Sequence, residues 1–161
     1  MSVNVSRIDI QDDGIVENFL EIVSDAGIEP ADLHLEITES AYASDTHQLV
    51  DVVERFREKG FRIEMDDFGS GYSSLNMLTS LPIDVLKVDM RFVSGVHEDK
   101  KNQRMMELIM DIAEFLDVPV VAEGVEEEDQ YRTLKSLGCQ MIQGFYFAKP
   151  ISAEDFEKLI K

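Results

Sequence analysis

The stretch Arg62-Ile63-Glu64-Met65-Asp66-Asp67-Phe68-Gly69-Ser70-Gly71-Tyr72-Ser73-Ser74 decides how this chain is read. Its first part reads as a strand and ends in two adjacent carboxylates, with a glycine-bearing turn after them. Side chains alternate across a strand, so Asp66 and Asp67 would face opposite ways in an unbroken ladder. A turn beginning at Phe68 releases that constraint and lets both acids converge on one site. Converging carboxylates suit a pair of hard divalent cations, which prefer oxygen ligands. An acid beside a glycine turn is also ordinary turn chemistry, so the pair gains its weight from the rest of the chain. Gly69-Ser70-Gly71 is not a dinucleotide fingerprint, because Ser74 stands where the third glycine belongs, and no Gly-Lys-Ser/Thr phosphate loop exists.

Working outward, strand-like runs at 3–6, 33–38, 62–65, 85–88, 120–122 and 141–144 alternate with helical patterns near 15–26, 45–59, 103–116, 128–137 and 153–160. Gly27, Gly60 and Gly138 fall where helices should close, and Ser152 can cap the last helix. This βα alternation predicts a parallel sheet covered by helices, either an open doubly wound sheet or part of a βα barrel. Polar residues at the strand ends favour the barrel. Asn4 belongs to the first run, Glu36 and Glu39 finish the second, Asp66 and Asp67 the third, and Lys87 and Asp89 the fourth. Glu123 and Glu126 follow the fifth, and Gln143 closes the sixth. Barrel enzymes assemble their sites at these C-terminal strand ends.

Each of these residues also has a structural reading. Lys87 is expensive to bury unless paired, with Asp89 or another carboxylate as the partner. As a functional group it would orient a water or stabilise phosphoryl charge. Gly124 allows close backbone approach and Glu123 should point into the site, whereas Glu126 reads first as a turn acid. His34 is expected to face away from the neighbours of Glu36, and none of His34, His47 and His97 is expected to be a ligand. Met105, Met106 and Met110 fit helix packing.

Composition sets the outer bounds. A chain of 161 residues with 44% hydrophobic and 30% charged residues is expected to be one globular domain with a real core. Its formal charge of -18 disfavours nucleic acid polymers and anionic membranes, both of which recruit Lys and Arg. Cys139 is the only cysteine, which excludes an intrachain disulfide, points to a reducing compartment and reads as a buried, inert thiol. No run approaches a membrane span, so the expected location is cytoplasmic with no membrane insertion.

With these residues in hand, the chain resembles the EAL family of cyclic di-GMP phosphodiesterases of bacterial signalling. The matching segments are Val3-Asn4-Val5-Ser6, Leu35-Glu36-Ile37-Thr38-Glu39-Ser40, Asp66 through Leu75, Leu81-Pro82-Ile83-Asp84, Leu86-Lys87-Val88-Asp89, Ala122-Glu123-Gly124-Val125-Glu126 and Gln143-Gly144-Phe145. The resemblance implies an α/β fold, a (β/α)8 TIM-like barrel of the EAL type, and a hydrolase that opens cyclic di-GMP to linear pGpG with two Mg²⁺ or Mn²⁺ ions. It implies that Asn4, Glu36 and Asp66 hold one metal, with Asp66 bridging to a second held by Asp67 and Glu123. Lys87 would position the attacking water and Asp89 would support the site. Glu39 would brace the loop from Asp67 to Leu75, while Glu126 and Gln143 would help hold the ligand.

The chain departs from the family pattern in one respect. The Glu-Ala-Leu segment that gives the family its name, and whose glutamate is a metal ligand, is expected upstream of Asn4 and has no counterpart here. A complete barrel has eight strands and typically about 250 residues, against six strand-like runs in this chain. Residues 1–161 are therefore expected to be a partial, N-terminally truncated EAL domain, the C-terminal two-thirds of an incomplete barrel. Met1-Ser2 fits the residues expected before Val3-Asn4, so the numbering is expected to begin inside a longer parent or at a shortened reading frame. Two open sheet edges are an association hazard and imply a homo-oligomer or a companion segment that completes the barrel. One missing ligand should weaken metal binding. The alternative to an enzyme is thus a catalytically inactive module that binds cyclic di-GMP or a protein partner. An enolase-like barrel, which also joins strand-end acids, lysine and Mg²⁺, is the more distant alternative.

Overall fold

The computed structural model describes residues 1–42, 46–69 and 75–159. Six strands form one sheet: β1 (Ser2–Asn4), β2 (His34–Thr38), β3 (Arg62–Phe68), β4 (Val85–Val88), β5 (Val120–Ala122) and β6 (Met141–Ile142). Every neighbouring pair is parallel, and the spatial order follows the chain from β1 to β6. An open doubly wound sheet reverses its order at a switch point. This sheet has no reversal and is the wall of an incomplete (β/α)8-type barrel, six of whose strands lie among the described residues.

The alternation within β2 and β3 explains which face is which. All-parallel strands buried on both faces read as continuous apolar runs, yet β2 is His-Leu-Glu-Ile-Thr and β3 begins Arg-Ile-Glu-Met-Asp. The apolar set (Leu35, Ile37, Ile63 and Met65, then Leu86, Val88, Val120 and Ala122) is fully buried under the helices. The opposite set carries His34, Glu36, Glu64, Asp66 and Lys87. One face of the sheet is thus the core and the other is a polar wall.

The covering helices follow from their apolar period and caps. Helix α1 (Arg7–Ile10) starts at a Ser6–Asp9 capping box, and α2 (Ile15–Ala26) ends with Gly27 in the left-handed conformation. After α3 (Glu39–Tyr42), α4 (Thr46–Glu58) buries Leu49, Val52, Val53 and Phe56. Phe56 meets Phe19 and Phe61 edge-on, with centroids 5.4 Å apart in each case, which fastens α2 and α4 to the entry of β3. Beyond α5 (Leu75–Ser80) and α6 (Met90–Val93), α7 (Lys100–Leu116) starts at the Asp99 cap, about one turn earlier than its apolar pattern predicts. Helix α8 (Glu128–Ser136) precedes β6, and α9 (Ala153–Leu159) is capped by Ser152, which accepts from Asp155 N at 3.2 Å. Asp84 locks the base of β3 to the entry of β4 by accepting from Ile63 N at 2.8 Å and from Arg57 at 3.1 Å. Cys139 is buried, and that burial pushes its thiol pKa up, as expected of an inert thiol.

Two expectations need correction. No turn begins at Phe68, since β3 runs through that residue and Phe68 pairs with Val88. The register instead shifts between Met65 and Phe68, and Asp67 takes a left-handed conformation at φ 55°. A bulge of this kind bends the strand and re-aims its side chains, and Asp is among the few residues that tolerate positive φ. Nor does His34 face away from the neighbours of Glu36. Two residues apart on one strand, they share a face, and His34 Nδ1 lies 2.5 Å from Glu64 Oε1. The part of the expected loop at 70–74 lies outside the described residues.

Candidate active site

The polar wall converges at the C-terminal ends of β2 to β5. Lys87, 6% exposed, donates from Nζ to Glu36 Oε1 at 2.6 Å and lies 2.8 Å from Glu123 Oε1 and 3.1 Å from Asp66 Oδ1. Three acids from positions 36, 66 and 123 therefore meet around one ammonium. Asp66 Oδ1 is buried and accepts no well-aligned hydrogen bond among the described residues, despite its short distance to Lys87. The pairing is electrostatic without directed bonding, and it leaves an acceptor available.

Asp67, at the bulge, is exposed but feels the charges of its neighbours. Partial burial, then the charges of Asp66 and Asp89, push its pKa above the usual carboxylate value, and Arg91 and Lys87 offset only part of this. Asp89 belongs to a different local structure. It caps α6 by accepting from Arg91 N at 2.7 Å and grips the Arg91 guanidinium at 2.8–3.0 Å, which holds its pKa down. Lys87 pairs with the other acids instead. Burial alone would lower the Lys87 pKa, but the hydrogen bonds it donates to Glu123 and Glu36 and the charges of Glu123 and Asp66 raise it well above its ordinary value. Glu36 and Glu123 share that lysine yet shift in opposite directions. Burial pushes both up; in Glu36 the bonds to Lys87 and Ser2 prevail, and in Glu123 burial does.

Glu39 is 1% exposed, and its Oε2 accepts from Gly69 N at 3.2 Å, which ties the start of α3 to the residue after β3. Asn4 is the register neighbour of Glu36 across β1 and β2 and is exposed. Glu126 and Gln143 are exposed residues after β5 and at the end of β6. Their backbones are fixed: Glu126 N donates to Gln130 Oε1 at 2.8 Å, and Gln143 N to Ala122 O at 2.9 Å. The structure thus brings Glu36, Asp66 and Glu123 together around Lys87, engages Asp89 with Arg91 and Glu39 with Gly69, and leaves Asn4, Asp67, Glu126 and Gln143 exposed. The sequence reading missed Glu64, His34 and Arg91 as members of this region. The first two could have been found from the period of two that links them to Glu36 and Asp66.

The donor set fits hard divalent cations, because every donor is an oxygen and Asp66 Oδ1 among them accepts no hydrogen bond. In the arrangement held by Lys87, no three His, Cys, Asp or Glu side chains among the described residues are spaced to chelate one ion. Glu36, Asp66 and Glu123 are paired with Lys87 instead.

Residues 1–150 match the family model of the EAL domain. The chain is 34% identical over 161 residues to the cyclic di-GMP phosphodiesterase PdeR of Escherichia coli, covering all of this chain and 24% of that protein. Curated relatives such as this one are four to five times longer, with the chain spanning 18–24% of them. Among solved structures, the PaMucR phosphodiesterase in complex with c-di-GMP superposes with a TM-score of 0.90 at 35% identity, over 96% of this chain and 63% of that one. The Klebsiella pneumoniae BlrP1 complex with manganese and cyclic di-GMP gives 0.87 at 31% identity, over 92% and 38%. The parallel sheet, the strand-end carboxylates and these matches have one common explanation: the chain belongs to the EAL domain family.

Proposed function

We propose that this chain is the C-terminal two-thirds of an EAL domain and that its site hydrolyses cyclic di-GMP to linear pGpG with two divalent cations, Mg²⁺ or Mn²⁺. The observation that carries this reading is the convergence of Glu36, Asp66 and Glu123 on Lys87 beside the Asp66–Asp67 bulge. Asn4, Glu36 and Asp66 would hold one ion, and Asp66, Asp67 and Glu123 the other. Bound there, the ions would polarise the phosphoryl oxygens and lower the pKa of an attacking water. In the net reaction one P–O bond breaks, phosphorus gains the hydroxyl of water, and the leaving oxygen takes the proton.

The chain's own groups prepare that step. Lys87 would orient the water and offset charge growing on the phosphoryl group, once its carboxylates have turned toward the ions. Glu123, paired with Lys87 at 2.8 Å, would act on the same water. Asp89 fixes Arg91 beside Asp67. Glu39 would brace the loop after β3 through Gly69, and Glu126 and Gln143 would contact the nucleotide from the rim.

Among the described residues the sheet is not closed from β6 to β1. We infer that a companion segment or a second copy completes the wall. No helix among the described residues is long and apolar enough to cross a membrane, and the proposed site of action is the cytoplasm.

The test is incubation of the purified chain with cyclic di-GMP and Mn²⁺, with the products separated chromatographically. Metal-dependent release of pGpG is expected once the wall is completed, and a chain that stays inert with a companion segment supplied would refute the enzymatic reading. A second reading, a cyclic di-GMP-binding or protein-interaction module without catalysis, is favoured by the pairing of Glu36, Asp66 and Glu123 with Lys87. Calorimetry showing binding without turnover would select it.

A further inference from the structure

Lys87 is placed to do more than the proposed reaction asks of it. Its Nζ lies within 3.1 Å of Glu36, Asp66 and Glu123, which come from β2, from β3 and from the residue after β5. Among the described residues it is the only Lys or Arg in ion-pair contact with any of the three. Arg91, the other nearby cation, is committed to Asp89. Asp67 adds a further negative charge beside Asp66.

Buried carboxylates without a partner are strongly destabilising, so this wall needs positive charge to assemble. An ammonium has three N–H donors, and here three acidic chains surround it. Two of them are served by hydrogen bonds, while Asp66 Oδ1 has no aligned donor.

We propose that Lys87 is the resident counter-ion of this cluster, its ammonium standing in for a divalent cation so that β2, β3 and β5 can bring their acids together before any metal arrives. The inference rests on the reading of the cluster as a cation site and extends it to the metal-free protein. It accounts for an arrangement that gathers the right donors without yet chelating an ion. Metal binding becomes an exchange of one cation for another, with Lys87 released toward the substrate as the acids turn.

The test is thermal unfolding of the full chain in EDTA and in millimolar Mn²⁺. Lys87→Met keeps most of the side-chain volume and removes the charge. In EDTA it is expected to unfold about 10 °C below the wild type, and Mn²⁺ should raise its midpoint more than it raises that of the wild type. The decisive comparison is the triple variant Lys87→Met/Glu36→Gln/Glu123→Gln, which removes the lysine together with two of the three acids paired with it. A counter-ion role predicts that this variant recovers most of the loss in EDTA, which a purely packing role would not produce. Unchanged stability of Lys87→Met in EDTA would overturn the proposal, as would a triple variant no more stable than the single one. If Lys87→Met fails to fold, a folded triple variant supports the counter-ion role and an unfolded one refutes it. Recovery by the triple variant with no response of either charged protein to Mn²⁺ would uphold the role of Lys87 and remove the two-metal reading instead.

Discussion

At the scale of single residues, the site consists of acids held in opposing electrostatic states. Asp67 has a raised pKa in the folded chain because burial and the charges of Asp66 and Asp89 oppose its ionisation. A raised folded pKa means that the stability linked to this group is present below the unfolded value and lost as pH rises through the folded one. The ionised form therefore strains the metal-free protein at neutral pH. Asp67→Asn, which also tolerates the left-handed backbone, is expected to raise the unfolding midpoint in EDTA at pH 7. The gain should shrink as the pH falls into the carboxylate range, where both states are protonated. A calorimetric series from pH 7 to pH 4 checks this, and a gain that grows on acidification would contradict it. Glu36 behaves in the opposite way: its lowered pKa stabilises the fold above the unfolded value, and that contribution is lost as pH falls.

At the scale of elements, the geometry of the site depends on close packing between strand ends and the turns after them. The segment following β5 and the end of β6 approach so closely that Gly144 has no room for a side chain. A Cβ there would lie 2.1 Å from Val125 O and 2.3 Å from Val125 N. Backbone atoms cannot swing aside as a side chain can, and overpacking costs about 1–3 kcal/mol even where side chains alone must yield. Gly144→Ala is expected to lose at least about 3 kcal/mol in urea denaturation. Gly27→Ala, with open space around its Cβ but φ at 66°, should lose about 1 kcal/mol. Equal losses would show that the Gly144 contact relaxes freely. The bulge in β3 belongs to the same scale. It depends on the register with β4, where three residues of β3 span two of its partner.

At the scale of the whole molecule, β1 and β6 end the sheet among the described residues, and exposed apolar side chains gather beyond β6. Phe145, Phe147, Ile151, Phe156 and Leu159 are all exposed, and α9 buries no residue. Unpaired strand edges invite pairing with another chain, and exposed apolar patches of this kind mark contact surfaces. The purified chain is expected to associate with increasing concentration, as read by light scattering. A stable monomer with cooperative unfolding would refute the idea that a second copy or companion segment closes the wall.

Much of this was determined by the sequence alone. The alternation of strand and helix patterns located all six strands, with β4 and β5 bounded to the residue. Polar residues recurring at strand ends placed Glu36, Asp66, Lys87 and Glu123 on one face, since period-two geometry is local and written into neighbouring positions. Helices α1, α3, α5 and α6 span too few residues to show a period and escaped that reading. The bulge at Asp66–Asp67, the His34–Glu64 pair and the choice of Lys87 over Arg91 as partner of the buried acids were decided only by tertiary structure. Register between strands and the distances across a curved sheet join residues from about twenty to about ninety positions apart, and no local pattern encodes which of several nearby opposite charges will meet.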